Sequence, residues 1–165
     1  MVQNPIFSWS VACLIQNILV AVDGSPESTK ALDFSLDLAE KYGAEVAILN
    51  VSELPALGAG SQTTAVAYAS DSLPMPVYTK DLNKLHEEVL SKALLHARET
   101  KPNVEVYTRL RDGDPALEIV AMAKEENFDV VVVAHKGMGR VREALLGSIS
   151  EKVAHLASCP VIIVR

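Results

Sequence analysis

Asn17-Ile-Leu-Val-Ala-Val-Asp23 runs into Gly-Ser-Pro26, then a helical stretch closed by Gly43, then Glu45-Val-Ala-Ile-Leu-Asn-Val51. The two flanking runs are short, aliphatic and β-branched, and turn residues bound them, so they read as strands. Between them Ser25 can cap a helix, and Pro26 suits its first turn, where a missing N–H costs nothing. Ala31, Phe34, Leu38 and Tyr42 recur at helical spacing. Gly43 supplies the left-handed residue that commonly ends a helix. Strand, helix and strand in about 35 residues make a βαβ unit.

The alternation continues. Leu82, Leu85, Val89, Ala93, Leu94 and Ala97 mark an amphipathic helix over Lys80 to Thr100, with Lys84, Glu87, Glu88 and Lys92 on its solvated face. Val104 to Leu110 alternates like a strand near a sheet edge. Asp114-Pro115 repeats the cap-plus-proline start, followed by Leu117, Val120, Ala121 and Lys124 at helical spacing. Asp129-Val-Val-Val-Val-Ala134 is the most apolar strand and belongs at the centre of a sheet. Ser148 and Glu151 have capping-box spacing for a last helix. Cys159-Pro160 ends it, and Val161 to Val164 is a final strand. From Ser52 to Thr79 the pattern collapses into a surface loop, a lid over a site or a plain excursion. Strict alternation predicts one α/β domain with a doubly wound parallel sheet. Ligands then sit at the carboxyl ends of the strands, beside Asp23 and the stretch after Ala134.

Composition narrows the partners. Aromatics make up only 5% of the 165 residues, so Val, Leu, Ile and Ala must fill the core. A net charge of −6 argues against nucleic acid. No apolar run reaches the roughly 20 residues that span a bilayer, so no membrane partner is expected. Cys13 and Cys159 make no disulfide framework, which suits a reducing cytoplasm. Residues 1–16, with Ile6, Phe7, Trp9 and Leu14, lack the basic start of a signal peptide and read as an apolar arm before a domain at 17–165.

The chemistry gathers after the fourth strand. Gly137 and Gly139 permit close backbone approach. Gly147-Ser148 opens a helix, whose free N–H groups and positive dipole end suit a phosphate. Lys136, Arg140 and Arg142 add positive charge, and His135 lies in the same loop. A tight turn and a cap would leave the same signature. Asp23 can bond turn amides, or serve a ligand or metal. His86 and His96 read as surface residues. There is no Walker lysine–serine pair, no first-turn glycine fingerprint of dinucleotide folds and no histidine pair with metal spacing. A Ser-His-Asp triad is missing too.

The whole arrangement resembles the universal stress protein family. Three stretches carry the resemblance: Ile18 to Ser25, Arg111 to Val120, and Val132 through the glycine loop and Leu145-Leu-Gly-Ser-Ile-Ser-Glu-Lys-Val153 to Val164. The family's ATP-binding branch reads Gly-x-x-Gly, nine residues, then Gly-Ser or Gly-Thr. Gly137 and Gly147-Ser148 match; the first glycine is Ala134 here. If that position needs a positive φ, alanine costs on the order of 1 kcal/mol; in ordinary β geometry only its methyl matters. The resemblance implies a Rossmann-like five-stranded sheet of order 3-2-1-4-5. It puts ATP on Gly137, Gly147, Ser148 and Ile149, with Ala134 and His135 in the same loop. Ala21 would line the base, Val46 would meet adenine, and Asp23 would lie near the ribose or a Mg²⁺ ion. It also implies a homodimer through Val161 to Val164. The function expected is an ATP-binding regulatory or stress-response homodimer. The alternatives are a slow ATPase, for which the sequence offers no clear base, and a nucleotide-free dimeric module.

Overall fold

A computed structural model describes residues 15–53, 75–137 and 146–165, with backbone alone over 75–83. Strands β1 (Asn17–Ala21), β2 (Glu45–Ser52), β3 (Val106–Asp112), β4 (Val130–Ala134) and β5 (Val161–Val164) alternate with helices. The helices are α1 (Pro26–Tyr42), α2 (Met75–Thr100), α3 (Pro115–Glu125) and α4 (Ser148–Leu156). The strands form one sheet of order β3-β2-β1-β4-β5, parallel throughout. This is the expected doubly wound order. Residues 1–14 of the apolar arm and most of the 52–79 loop lie outside the described residues, as do Arg140 and Arg142.

Burial explains the layering. The central strands are apolar on both faces: Ile18, Leu19, Val20, Val131 and Val132 are wholly buried. Ile18, Val20, Val46 and Ile48 meet Leu32 and Leu36 of α1 and Leu90 and Ala97 of α2. Leu19, Leu49, Val131 and Val133 face Ile119 and Met122 of α3 and Val153 of α4. The Asp129 carboxylate accepts the N–H groups of Gln16 and Asn17 at 2.8 and 2.9 Å, tying the entry of β1 to β4.

The helical stripes differ from the expected ones in an instructive way. In α1 the buried positions are Ser28, Ala31, Leu32, Ser35, Leu36 and Ala39, while Phe34 and Tyr42 are exposed. Small residues face the sheet because α1 packs closely on it. The buried hydroxyls of Ser28 and Ser35 are satisfied by the Ser25 and Ala31 carbonyls. In α3, Ala116, Ile119, Met122 and Ala123 are buried, and Leu117 is exposed. α2 starts at Met75, earlier than expected, since Pro76 is tolerated in a first turn. Its inward stripe runs through His86, Leu90, Ala93 and Ala97, and Leu85 is exposed. β3 runs to Asp112, two residues past the predicted end.

Asp114 caps α3, accepting the Leu117 N–H at 3.0 Å and pairing with Lys152 at 2.9 Å. The Lys152 ammonium, then the Leu117 amide, hold its carboxyl below the usual carboxylate range. A carboxylate with a lowered folded pKa adds stability above its ordinary value of about 3.9 and loses it as pH falls through the lowered value. Asp114→Ala should therefore cost about 1 kcal/mol at neutral pH, a typical cap. Urea unfolding of both proteins at about pH 7 and about pH 3 checks this: the gap should shrink at the lower pH, and an equal gap would contradict it.

Candidate functional site

β1 and β4 lie side by side at the centre of the sheet, and the chain leaves them toward opposite faces. A cleft of about 610 Å³ opens at their carboxyl ends. Ala21, Leu49, Val51, Ile119 and Val133 make an apolar wall. Asp23, Asn50, Glu53, His86 and Lys136 bring polar groups, and Gly137 and Gly147 to Ser150 close the far side. Another cleft, of about 530 Å³, lies at the opposite end of the sheet. Its Glu40, Glu45 and Glu105 and the carboxyl end of α1 disfavour an anion. The chemistry therefore belongs to the first cleft.

The N-terminus of α4 is the centre of that cleft's electrostatics. Gly147 is the N-cap, with φ −73° and ψ 151°, and its N–H donates to the His135 carbonyl at 2.7 Å. Ser148 is thus the first helical residue, not the cap its spacing with Glu151 suggested. A glycine cap has no side chain to turn inward, and no side chain among the described residues caps α4. The Ser148, Ile149 and Ser150 N–H groups precede the first helical bond, from Glu151 to Gly147 at 2.9 Å. They have no acceptor among the described residues. α1 and α3, by contrast, are capped by Ser25 and Asp114. Gly147 must also be small: a Cβ would lie 3.1 Å from the His135 carbonyl oxygen.

Gly137 faces Asp23. A Cβ at 137 would overlap the Asp23 carboxylate. Asp23 is held in place by the turn, its Oδ1 accepting the Ser25 N–H at 2.9 Å. It fills the turn role and still lines the cleft. Ala134 ends β4 paired with Val164 and does not have a positive φ. Alanine there brings no backbone strain, only a methyl.

Two expected residues lie elsewhere. Val46 is the second residue of β2, fully buried at the opposite end of the strand from the cleft. A parallel sheet puts its crevice at the carboxyl ends, so Leu49, Asn50 and Val51 take the position expected of Val46. The His135 ring points toward β5, its Nδ1 3.3 Å from the Val164 carbonyl. Its backbone anchors Gly147, and Lys136 lines the cleft instead. Ala21, Asp23, Ala134, Gly137, Gly147, Ser148 and Ile149 do come together.

His86 and Asn50 were not expected in the site. His86 Nδ1 is 2.5 Å from Asn50 Oδ1, and Asn50 Nδ2 donates to the Val22 carbonyl at 2.6 Å. The available signal was the 86-90-93-97 spacing, which puts His86 on the stripe facing the sheet. His96, by contrast, pairs with Asp33 at 2.6 Å between α1 and α2.

The match to the universal stress protein family model covers residues 15–165. The chain belongs to the universal stress protein family. It is 37% identical over 154 residues to the Bacillus subtilis universal stress protein YxiE, covering 92% of this chain and all of that one. Among solved structures, the hypothetical protein MJ0577 superposes with a TM-score of 0.70 at 25% identity, over 92% of this chain and 96% of that one. An Archaeoglobus fulgidus universal stress protein in complex with dAMP superposes with a TM-score of 0.59 at 24% identity, over 92% of this chain and 99% of that one. For this universal stress protein, the described residues include no group of three or more His, Cys, Asp or Glu side chains placed to hold a metal. No helix among them is long and apolar enough to cross a membrane.

Proposed function

We propose that this universal stress protein binds ATP in the cleft between Asp23 and α4, and that the nucleotide acts as a regulatory ligand of a homodimer. The observation that carries the reading is the uncapped α4 N-terminus. Three N–H groups without an acceptor among the described residues, and the positive end of a helix dipole, face a cleft that also holds Lys136. Phosphate oxygens would accept from Ser148, Ile149 and Ser150, with the Ser148 hydroxyl within the same cradle. The base would lie on the wall of Ala21, Leu49, Val51 and Ile119. The dAMP complex of the Archaeoglobus fulgidus protein speaks for the fold, and the case here rests on this chain's own residues. A Mg²⁺ ion accompanying ATP would be held mostly by phosphate oxygens and water, with Asp23 alongside, since Mg²⁺ keeps several waters.

The dimer reading rests on β5. All four of its residues are half-exposed at a sheet edge. An apolar edge strand without charges or proline within it invites pairing. A reduced, cytoplasmic setting completes the reading, with Cys159 a free thiol that burial pushes up in pKa.

Native mass spectrometry of the freshly purified protein tests this function. A dimer carrying one ATP per protomer, restored by adding ATP after removal, is expected. A protein that takes up no adenine nucleotide would overturn the reading.

A further inference from the structure

We propose that His86 is a specificity-determining residue of the cleft, its Nε2 accepting a hydrogen bond from a neutral donor of the ligand. The inference rests on the adenine-nucleotide reading and deepens it. It starts from Val22, whose carbonyl oxygen can only accept. The Asn50 atom 2.6 Å from it is therefore the amide nitrogen. The amide oxygen then faces His86, at 2.5 Å from Nδ1. That oxygen can only accept, so Nδ1 carries the hydrogen.

The relay Val22 C=O, Asn50, His86 thus selects one tautomer. In the neutral ring, Nε2 is left with its lone pair. Nε2 has no partner among the described residues, and the ring lines the cleft. Asn50 is only 3% exposed, so the relay is buried where an unmet hydrogen bond is costly. The ring is carried on α2 and tied to Asn50 of β2 through Nδ1. The charged groups lining the cleft with it are Asp23, Glu53 and Lys136. Beside these, Nε2 of the neutral His86 ring would supply an acceptor.

Such an acceptor selects for a hydroxyl or an amine and against a carbonyl. An adenine nucleotide has both kinds of donor, the ribose hydroxyls and the exocyclic amine of the base. Three analogues separate them: 2′-deoxy-ATP, 3′-deoxy-ATP and inosine triphosphate, whose base carries oxygen in place of the amine.

Calorimetric titration of the wild-type dimer with ATP and the three analogues is the test. One analogue should bind roughly tenfold more weakly than ATP, the worth of one hydrogen bond to a buried group. His86→Asn keeps a donor where Nδ1 stood and lacks Nε2. In that variant ATP should weaken roughly tenfold, and the distinction between ATP and that analogue should vanish. A merely structural role would weaken ATP and the analogues alike and leave the distinction standing, which would overturn the inference. Equal binding of all four ligands by the wild type would overturn it too. A wild type that binds none of them defeats the nucleotide reading itself, and with it this inference. A measurement without any variant adds a further check. A long-range proton–nitrogen spectrum of the wild-type imidazoles should place the His86 hydrogen on Nδ1 and show Nε2 shifting when ATP is added. A hydrogen on Nε2 would overturn the assignment.

Discussion

Gly137→Val should abolish detectable ATP binding, weakening it by roughly 100-fold or more, which is about 2.7 kcal/mol. The first atom of the new side chain overlaps the Asp23 carboxylate. Asp23 cannot yield without breaking its bond to the Ser25 N–H. It would swing across the cleft, and the valine methyls would fill the space in front of α4. The obstacle is the end of a side chain and not backbone, so the cost to folding is small. The melting temperature should change by only a few degrees, in line with about 1 kcal/mol. Calorimetric titration and a thermal melt check both halves. A variant that binds ATP as the wild type does would remove Gly137 from the site.

If the proposed homodimer pairs through β5, Ile163→Pro should convert it to a monomer. The Val131 N–H donates to the Pro160 carbonyl, and the His135 N–H donates to the Val164 carbonyl. Even-numbered residues of β5 therefore bond β4, and the N–H and C=O groups of Val161 and Ile163 point outward. Two copies related by a two-fold axis would pair these edges antiparallel. Proline at 163 removes an outward donor and leaves the ladder to β4 intact. The dimer dissociation constant should rise roughly 100-fold, since both copies lose a bond and the strands are forced apart at the axis. Sedimentation velocity, with circular dichroism to confirm the fold, reads the outcome. An unchanged dimer would place the interface elsewhere.

Much of this molecule was legible in its residue order. The parallel, doubly wound layering follows from alternation and from aliphatic runs such as Asp129 to Ala134, because a sheet buried on both faces tolerates little else; the strand order came with the family resemblance. Faces of helices were less legible. Phe34 and Leu117 look like core residues, yet Ser28, Ser35 and Ala116 take the buried positions because close packing on the sheet favours small side chains. Burial of a serine depends on a carbonyl one turn back, which hydropathy does not register.

The cradle was legible because it is local. Gly137, Gly147 and Ser148 lie within one loop and one helix start. Val46 was misplaced along its strand, although the rule that a parallel sheet opens its crevice at the carboxyl ends already favours Leu49 to Val51. Asn50 and His86 escaped notice because their relay joins residues 36 apart in the chain. Ser148 looked like a cap because its spacing to Glu151 fits one. The bond from the Glu151 N–H to the Gly147 carbonyl shows that the helix begins one residue earlier, at Ser148. That single step leaves α4 without a side-chain cap among the described residues.

The central claim is that ATP sits on those amides, and an amide proton–nitrogen correlation spectrum titrated with ATP tests it most directly. The account predicts the largest shifts at Gly137, Ser148, Ile149 and Ser150, with smaller ones at Val51 and Ala21 along the wall. Shifts confined to Gln16, Gly43 and Glu105 around the opposite cleft, or no shifts at saturating ATP, would contradict it.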